Sequence, residues 1–240
     1  MEGLPDDHPA GNRARRPRRT SAGRRRSGQV SRRIVIWRHG RTEWNATGRF
    51  QGQIDVALDD VGREQARQAG RRLAGLQPGL LVSSDLQRAR QTTAILAGIT
   101  GQQVVLDVRL RETYAAAWQG LTGGEISARY PDEYKAWRAG DPLLRVGGGE
   151  SRQEVADRVA ATVRDVAARL ADDGLAVLTT HGGAARLGIA ALIGMPLERF
   201  TNIGGLSNAS WSMLRDTDQG WVLVEHNAGT LPTPVVIEEG

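Results

Sequence analysis

Short apolar runs alternate with amphipathic stretches along the chain from residue 32 onward. Their lengths and their flanking glycine and polar residues predict strands at 32–38, 80–84, 104–110 and 175–180, with late strands near 208–214 and 221–226. Apolar residues at helical spacing predict helices between them, at 60–76, 85–98, 150–174 and 183–193. This alternation predicts an α/β fold, a three-layer α/β/α sandwich around a mostly parallel sheet.

The segment 113–149 interrupts the alternation. It is rich in glycine, aromatic and polar residues and predicts at most short helices. We therefore expect one domain over residues 32–240 that carries 113–149 as a lid-like insertion.

The charge distribution sets residues 1–31 apart. Ten arginines and three acidic residues give residues 1–33 a net charge of +7, whereas the other 207 residues have 22 basic and 24 acidic side chains, a net of −2. This Arg-rich tail has too few apolar residues to pack a core, so we expect it to be disordered. Three explanations remain open: an arm with weak, nonspecific affinity for nucleic acid or anionic lipid, a solvated extension without function, or a misplaced start, with translation beginning at Val30.

Composition narrows the chemistry. The chain has no cysteine, which excludes disulfides, thiolate zinc sites and cysteine nucleophiles. It has no run of 18 apolar residues and no apolar signal-peptide core, so we expect a cytoplasmic protein without a membrane partner. No His/Asp/Glu cluster has metal-ligand spacing and no G-x-G-x-x-G follows a strand, which predicts catalysis without a metal or cofactor.

Two predicted strands end in His-Gly pairs. His39-Gly40 follows the first strand, and His181-Gly182 follows the strand at 175–180. In parallel α/β sheets, ligands bind beyond the carboxyl ends of the strands, so both histidines are expected to face one crevice. Arg38 adds a planar fork suited to phosphate oxygens, and a neutral imidazole nitrogen can attack phosphorus.

Longer motifs surround these pairs. RHGRTEWNATGRFQGQIDVALDDVGREQA at 38–66 resembles the signature of the histidine phosphatase superfamily, which includes phosphoglycerate mutases and acid phosphatases. The resemblance continues, in the family's order, with SSDLQRARQTT at 83–93, LRE at 110–112, GGES at 148–151 and THGG at 180–183. Together these motifs span about 150 residues, which makes the match specific.

The resemblance implies roles for the matching residues. His39 corresponds to the nucleophile that becomes phosphohistidine, and Arg38, Arg88 and His181 would form a positively charged pocket around the phosphoryl oxygens. Glu112 corresponds to the general acid, which can protonate the leaving oxygen and later take a proton from water.

Three further positions are expected to bind substrate. Asn45 matches the family's amide contact to phosphate, and Gln51 is a candidate at the rim of the pocket. Gly182 can bring its backbone N–H close to the anion, as the start of a helix favours.

Some of these residues also have structural explanations. Glu112 alone could be a salt-bridged carboxylate beside Arg109 and Arg111. Arg90 is expected to be a solvated helix residue, and His226 in the last strand is expected to make a structural hydrogen bond.

The substrate is less constrained than the reaction. GGLSNASW at 204–211 and GGGESRQEVADRV at 147–159 resemble actinobacterial glucosyl-3-phosphoglycerate phosphatases, and the short, charge-balanced insertion favours a phosphatase over a mutase. AAAW replaces the usual Phe-Gly-x-Trp, however, so mutase-type, broad phosphomonoesterase and α-ribazole-phosphate phosphatase activities stay open, as does a non-catalytic anion- or RNA-binding module. Trp44, Tyr114 and Trp118 are candidates for stacking on a sugar, and a homodimer is possible.

Overall fold

Six strands form one sheet in the computed structural model, which describes residues 31–229 together with Met1 and Gly3. The strand order is β3-β2-β4-β1-β5-β6. The first four are mutually parallel, whereas β5 runs antiparallel to β1 and β6 antiparallel to β5. The strands are β1 Arg33–Arg38, β2 Leu80–Ser83, β3 Val104–Leu106, β4 Leu175–Thr180, β5 Trp211–Thr217 and β6 Gly220–Ala228.

Within the described residues, seven α-helices accompany the sheet. They are α1 Glu43–Ala46, α2 Asp60–Ala74, α3 Gln87–Thr100, α4 Gly123–Arg129, α5 Pro131–Arg138, α6 Arg152–Ala168 and α7 Gly182–Leu192. Ile34 and Ile36 of β1 belong to the core that includes α6 and α7. Val35 and Trp37, which point the opposite way, belong to the core that includes α2 and α3. The predicted three-layer sandwich is therefore confirmed.

Two predicted elements end earlier than expected. The predicted strand 104–110 stops at Leu106, because the Asp107 carboxylate accepts a hydrogen bond from the backbone N–H of Arg109 and caps a short 3-10 helix. The predicted helix 150–174 ends at Ala168 rather than at Gly174. Its start is as expected: Ser151 is the N-cap and forms a capping box with Glu154.

The inserted segment has a small apolar core of its own. Ala115, Trp118, Ile126 and Val146 are buried together, and Phe50 packs against them. The predicted short helices are present as α4, α5 and 3-10 turns. Movement of this segment as a lid stays a prediction, and the predicted tail at 1–31 lies almost wholly outside the described residues.

Candidate active site

Three polar residues meet at the carboxyl edge of the sheet. Ser84, His39 and His181 directly follow β2, β1 and β4, which are adjacent in the order β2-β4-β1. The rings of His39 and His181 lie 5.1 Å apart between centroids. The sheet thus brings the two His-Gly pairs together as predicted, but His39 and Gly182 line the cavity in front of the sheet whereas the His181 ring is buried behind it.

A backbone carbonyl fixes the tautomer of His39. Its Nδ1 lies 2.6 Å from the carbonyl oxygen of Gly40. A carbonyl oxygen can only accept, so Nδ1 carries the proton and the Nε2 lone pair is left free. Among the described residues no group bonds Nε2, and His39 lines the cavity in front of it.

His39 is neutral in this setting. Burial holds the pKa of its imidazole well below 6.5, and the nearby guanidinium groups of Arg88 and Arg38 lower that pKa further. Its ring is 2% exposed. A neutral imidazole is the nucleophilic form, so the surroundings of His39 favour attack on phosphorus.

His181 supports the neighbouring arginine. The Nε of Arg88 donates to Nδ1 of His181 over 3.1 Å, so the His181 proton lies on Nε2, which is 2.9 Å from the Ser84 hydroxyl. Burial, followed by the charge of Arg88, holds the pKa of His181 well below 6.5. His181 is fully buried and is bonded to protein on both ring nitrogens, and its expected role as a third positive group around the phosphoryl oxygens stays a prediction.

Arg88 is fixed at the base of the cavity. Its terminal nitrogens donate to the carbonyls of Gly52 and Ile54 over 2.7 and 2.8 Å. Burial lowers the pKa of its guanidinium to about 10, so it stays charged at neutral pH. Three of its five N–H groups are used by protein acceptors, which leaves two for a ligand.

Arg38 contributes a second guanidinium. One terminal nitrogen donates to the carbonyl of Leu206 over 2.5 Å, whereas its buried Nε has no partner among the described residues. Gly182, whose backbone starts α7, lies beside this guanidinium in the cavity wall. An unsatisfied N–H in this position is available to a phosphoryl oxygen.

Hydrogen bonds to their side-chain oxygens orient the amides of Asn45 and Gln51. The Asn45 oxygen accepts from the backbone N–H of Thr42 and from the Asn208 amide, both over 3.2 Å. The Gln51 oxygen lies 3.0 Å from the Thr42 hydroxyl, and both side chains line the cavity. This arrangement leaves their NH₂ groups as donors for an anion.

Glu112 is held by backbone amides across the cavity. Its carboxylate accepts from the N–H groups of Gly183 over 3.0 Å, Ala184 over 2.9 Å and Thr113 over 2.8 Å. The first two belong to the opening turn of α7, where a negative group is favoured. The carboxyl group is therefore positioned by the same helix that follows His181.

The salt-bridge explanation of Glu112 is wrong. Arg109 pairs with Asp107 and Asp165, and Arg111 pairs with Asp85. Both arginines are thus neutralised elsewhere.

The assembled geometry matches a known family. The profile of the histidine phosphatase superfamily (branch 1) covers residues 34–229. The chain belongs to this superfamily. Within it, a glucosyl-3-phosphoglycerate phosphatase of Mycolicibacterium vanbaalenii is 46% identical over 189 residues, 76% of this chain and 84% of that protein.

Other members of the superfamily are similar over the same region. A metal-independent phosphoserine phosphatase of Arabidopsis thaliana is 35% identical over 193 residues, 79% of each chain. A solved structure of a mycobacterial glucosyl-3-phosphoglycerate phosphatase in complex with VO3 has a TM-score of 0.77 and 42% identity, covering 82% of this chain and 100% of that one.

In this superfamily member a cavity of about 170 Å³ lies in front of the histidine. Its wall combines polar and charged side chains with aromatic ones. The wall consists of Arg38, His39, Asn45, Phe50, Gln51, Gly52, Arg88, Glu112, Thr113, Ala115, Trp137, Val146, Glu150, Arg152, Gly182, Gly183, Arg186, Leu187, Phe200, Gly205 and Leu206.

The aromatic expectation needs correction. Trp118 is fully buried in the core of the inserted segment, and neither Tyr114 nor Trp44 lines the cavity. The aromatic side chains in the wall are Phe50, Trp137 and Phe200, distant in sequence from the motif residues.

The two structural expectations are confirmed. His226 bonds the Ser212 hydroxyl and the Gly204 carbonyl, each over 2.9 Å. Arg90 is exposed on α3.

Sequence reasoning missed Arg158, which holds the segment leading to Glu112. Its guanidinium donates to the carbonyls of Arg109, Arg111 and Glu112 over 2.7, 2.6 and 3.0 Å. It also pairs with Glu150 over 2.9 Å. Its place about two turns along the helix after GGES was the available signal.

Across residues 31–229 no group of three or more His, Asp or Glu side chains could hold a metal ion. The same part of the chain has no helix long and apolar enough to cross a membrane.

Proposed function

We propose that this protein is a phosphomonoesterase that works through phosphorylated His39 and hydrolyses glucosyl-3-phosphoglycerate. One observation carries the reaction class: the free Nε2 of a neutral His39 faces a cavity whose wall also contains Arg38, Arg88 and Glu112.

The first step transfers the phosphoryl group to His39. The Nε2 lone pair forms a bond to phosphorus while the bond from phosphorus to the substrate oxygen breaks. Glu112, protonated for this step, gives its proton to the departing oxygen and becomes a carboxylate. Arg38 and Arg88 balance the charge on the equatorial oxygens.

The second step returns the enzyme to its starting state. The Glu112 carboxylate takes a proton from water as the water oxygen bonds to phosphorus and the N–P bond breaks. Inorganic phosphate leaves, and the lone pair on Nε2 is restored. The three backbone N–H groups on Glu112 keep it in one place for both transfers.

Similarity supports the substrate assignment. The relatives from M. vanbaalenii and, at 42% identity over 191 residues, Mycobacterium tuberculosis are named glucosyl-3-phosphoglycerate phosphatases. The cavity wall also includes Phe50, Trp137 and Phe200, apolar surface that an organic group can contact.

The test is phosphate release by the full chain in EDTA. The substrates are p-nitrophenyl phosphate, glucosyl-3-phosphoglycerate, 3-phosphoglycerate, phosphoserine and α-ribazole phosphate. We expect the highest kcat/KM with glucosyl-3-phosphoglycerate. A higher kcat/KM with another compound of the panel would make that compound the assigned substrate. A folded protein that is inactive on the whole panel would overturn the reaction class.

Replacing the nucleophile checks the mechanism directly. His39→Ala is expected to abolish turnover and the acid-labile phosphoenzyme formed from labelled substrate, because the substitution removes the nucleophilic Nε2. Wild-type rates in this variant would contradict the assignment. Arg90→Ala, exposed on α3, serves as the control and should keep full activity.

The tail, the dimer and the cytoplasmic location remain predictions. Removing residues 1–29 should preserve hydrolysis and weaken nucleic-acid retention if the tail is an accessory arm. A folded protein that is inactive with or without the tail, and that loses nucleic-acid retention when the tail is removed, would instead favour the binding-module hypothesis.

A further inference from the structure

The wall of the cavity contains two arginines that lie over one aromatic ring. The guanidinium carbons of Arg152 and Arg186 lie 4.5 and 4.7 Å from the centroid of the Phe200 ring. Arg152 comes from the first turn of α6 and Arg186 from α7, and all three side chains line the cavity. Two guanidinium groups thus lie within cation–π distance of the same phenyl ring.

Neither guanidinium is neutralised by the described part of the chain. Arg152 donates to the carbonyls of Trp137 and Asp141 over 2.7 and 3.3 Å, and Arg186 donates to the carbonyl of Ile203 over 3.1 Å. Carbonyls satisfy N–H groups but carry no net charge. Among residues 31–229 neither arginine forms an ion pair within 4.0 Å.

Burial makes these unpaired charges costly. Arg152 is 5% exposed. Desolvation, followed by the charge of Arg186, lowers the pKa of Arg152 to about 10, although Asp141 acts in the opposite direction. Desolvation also lowers the pKa of Arg186. Both groups remain charged at neutral pH, so the fold bears the desolvation cost of two cations that have no anionic partner.

Another arginine of α6, by contrast, has a carboxylate partner. Arg158 is also largely buried, but Glu150 accepts from it with both carboxylate oxygens over 2.9 Å. The fold therefore pairs Arg158 with a carboxylate but provides none for Arg152 among the described residues. A ligand is the remaining source of negative charge.

Charge balance in the cavity supports the same conclusion. Four arginines line it, Arg38, Arg88, Arg152 and Arg186, against Glu112 and the already paired Glu150. A phosphoryl group, with about two negative charges near neutral pH, matches Arg38 and Arg88. The pair on Phe200 is then left for a second anion on the same substrate.

We propose that Arg152 and Arg186 form a second anion subsite, which selects phosphomonoesters that carry a carboxylate beyond the phosphoryl group. The carboxylate accepts N–H bonds from the two guanidinium groups that lie over Phe200. This inference rests on the proposed phosphatase function and adds the group that distinguishes its substrates.

Two matched substrate pairs test the carboxylate. The first is 3-phosphoglycerate against glycerol 3-phosphate, which replaces the carboxylate by a hydroxymethyl group. The second is the same pair with a glucosyl group on the 2-hydroxyl. We expect wild-type kcat/KM to favour the carboxylate member of the better pair by about tenfold or more, the loss typical of removing a charged hydrogen-bond partner.

Arg186→Met tests the subsite in the protein, because methionine preserves an apolar stem against Phe200. It should lower kcat/KM about tenfold or more for the carboxylate substrate, mainly through KM, and leave the carboxylate-free substrate within about twofold. Arg186→Lys, which retains a charge, should recover part of the loss. Arg164→Met, exposed on α6, is the control and should change neither.

Each outcome separates this inference from the proposed function. Equal wild-type efficiency on both members of a pair overturns the subsite and leaves the phosphatase intact. An equal loss on both substrates in Arg186→Met, or none, also overturns it. A folded wild-type protein without activity on these substrates or on p-nitrophenyl phosphate overturns the phosphatase itself and the subsite with it. Arg152→Met repeats the test, and its thermal unfolding midpoint shows whether it folds.

Discussion

A single carbonyl decides the chemistry of His39. Because the Gly40 oxygen accepts a hydrogen bond from Nδ1–H, the lone pair lies on Nε2, and burial keeps the ring neutral. His181 has the opposite arrangement, since Arg88 donates to its Nδ1. At the residue scale, two histidines from similar His-Gly pairs thus have different roles: one is placed to attack, and the other orients an arginine.

Glu112→Gln tests the acid at the same scale. A glutamine fills the same space but cannot protonate the leaving oxygen, so kcat should fall by roughly 10²–10⁴ for alkyl phosphates. The loss should be smaller for p-nitrophenyl phosphate, whose leaving group needs little protonation. Single-turnover rates for both substrates measure the difference. Equal loss on both would contradict the acid role, and the exposed Glu64→Gln is the control.

At the scale of elements, α7 links the two halves of the site. It begins directly after His181, its first amides hold Glu112, and its later residues pack in the core with α6. Displacing this helix would therefore affect both the proton donor and the arginine that His181 orients.

Gly183→Ala tests the contact between α7 and Glu112. A Cβ at this position would lie 2.8 Å from Oε1 of Glu112, so the carboxylate must move. We expect kcat on alkyl phosphates to fall at least tenfold, while the unfolding free energy changes little because alanine is compatible with a helix. Gly98→Ala, where nothing lies within 4 Å, should raise stability by about 0.5–1 kcal/mol without lowering kcat. Unchanged kcat in Gly183→Ala would contradict the positioning role.

Gly188→Ala tests the packing of α7 on α6. A Cβ here would collide with Cγ1 of Val159, and overpacking of this kind costs about 1–3 kcal/mol. Urea unfolding of the single variants and of Gly188→Ala with Val159→Ala gives the coupling. We expect the second substitution to recover stability in the double variant, and simple additivity would show that the helices adjust by other means.

At the scale of the whole molecule, the two uncharged histidines of the basic site make folding stability depend on pH. Above about pH 6.5 neither the folded nor the unfolded state protonates them. Below it the unfolded chain binds protons, whereas the folded state, with both pKa values lowered, does not. Stability is therefore complete above pH 6.5 and is lost as the pH falls toward the folded pKa values.

This linkage gives a prediction for the free energy of unfolding. It should decrease between pH 6.5 and 5 by at most about 1.4 kcal/mol per pH unit for each histidine. Urea unfolding at pH 7.5, 6.0 and 5.0 measures the slope. His39→Gln should flatten it, because one of the two groups is removed, and a slope unchanged by this substitution would assign the acid sensitivity to other groups.

Much of the architecture follows from local pattern. The strands before His39 and His181 were predictable, since buried strands are defined by neighbours in sequence. The end of α6 was not, because the residues after Ala168 still fit a helical pattern. The end of β3 was misplaced for a similar reason: apolar spacing continues past the Asp107 cap.

The layers of the fold and the family motifs could be inferred from the sequence alone, and the nucleophile, acid and phosphate-binding side chains could be predicted from it, because each lies in a short contiguous pattern. The hydrogen bonds that fix the tautomers of the two histidines, the amide contacts that hold Glu112 and the position of Arg152 and Arg186 on Phe200 required the three-dimensional arrangement of the chain. Those properties depend on burial and on atoms brought together from distant segments, and no local pattern encodes them.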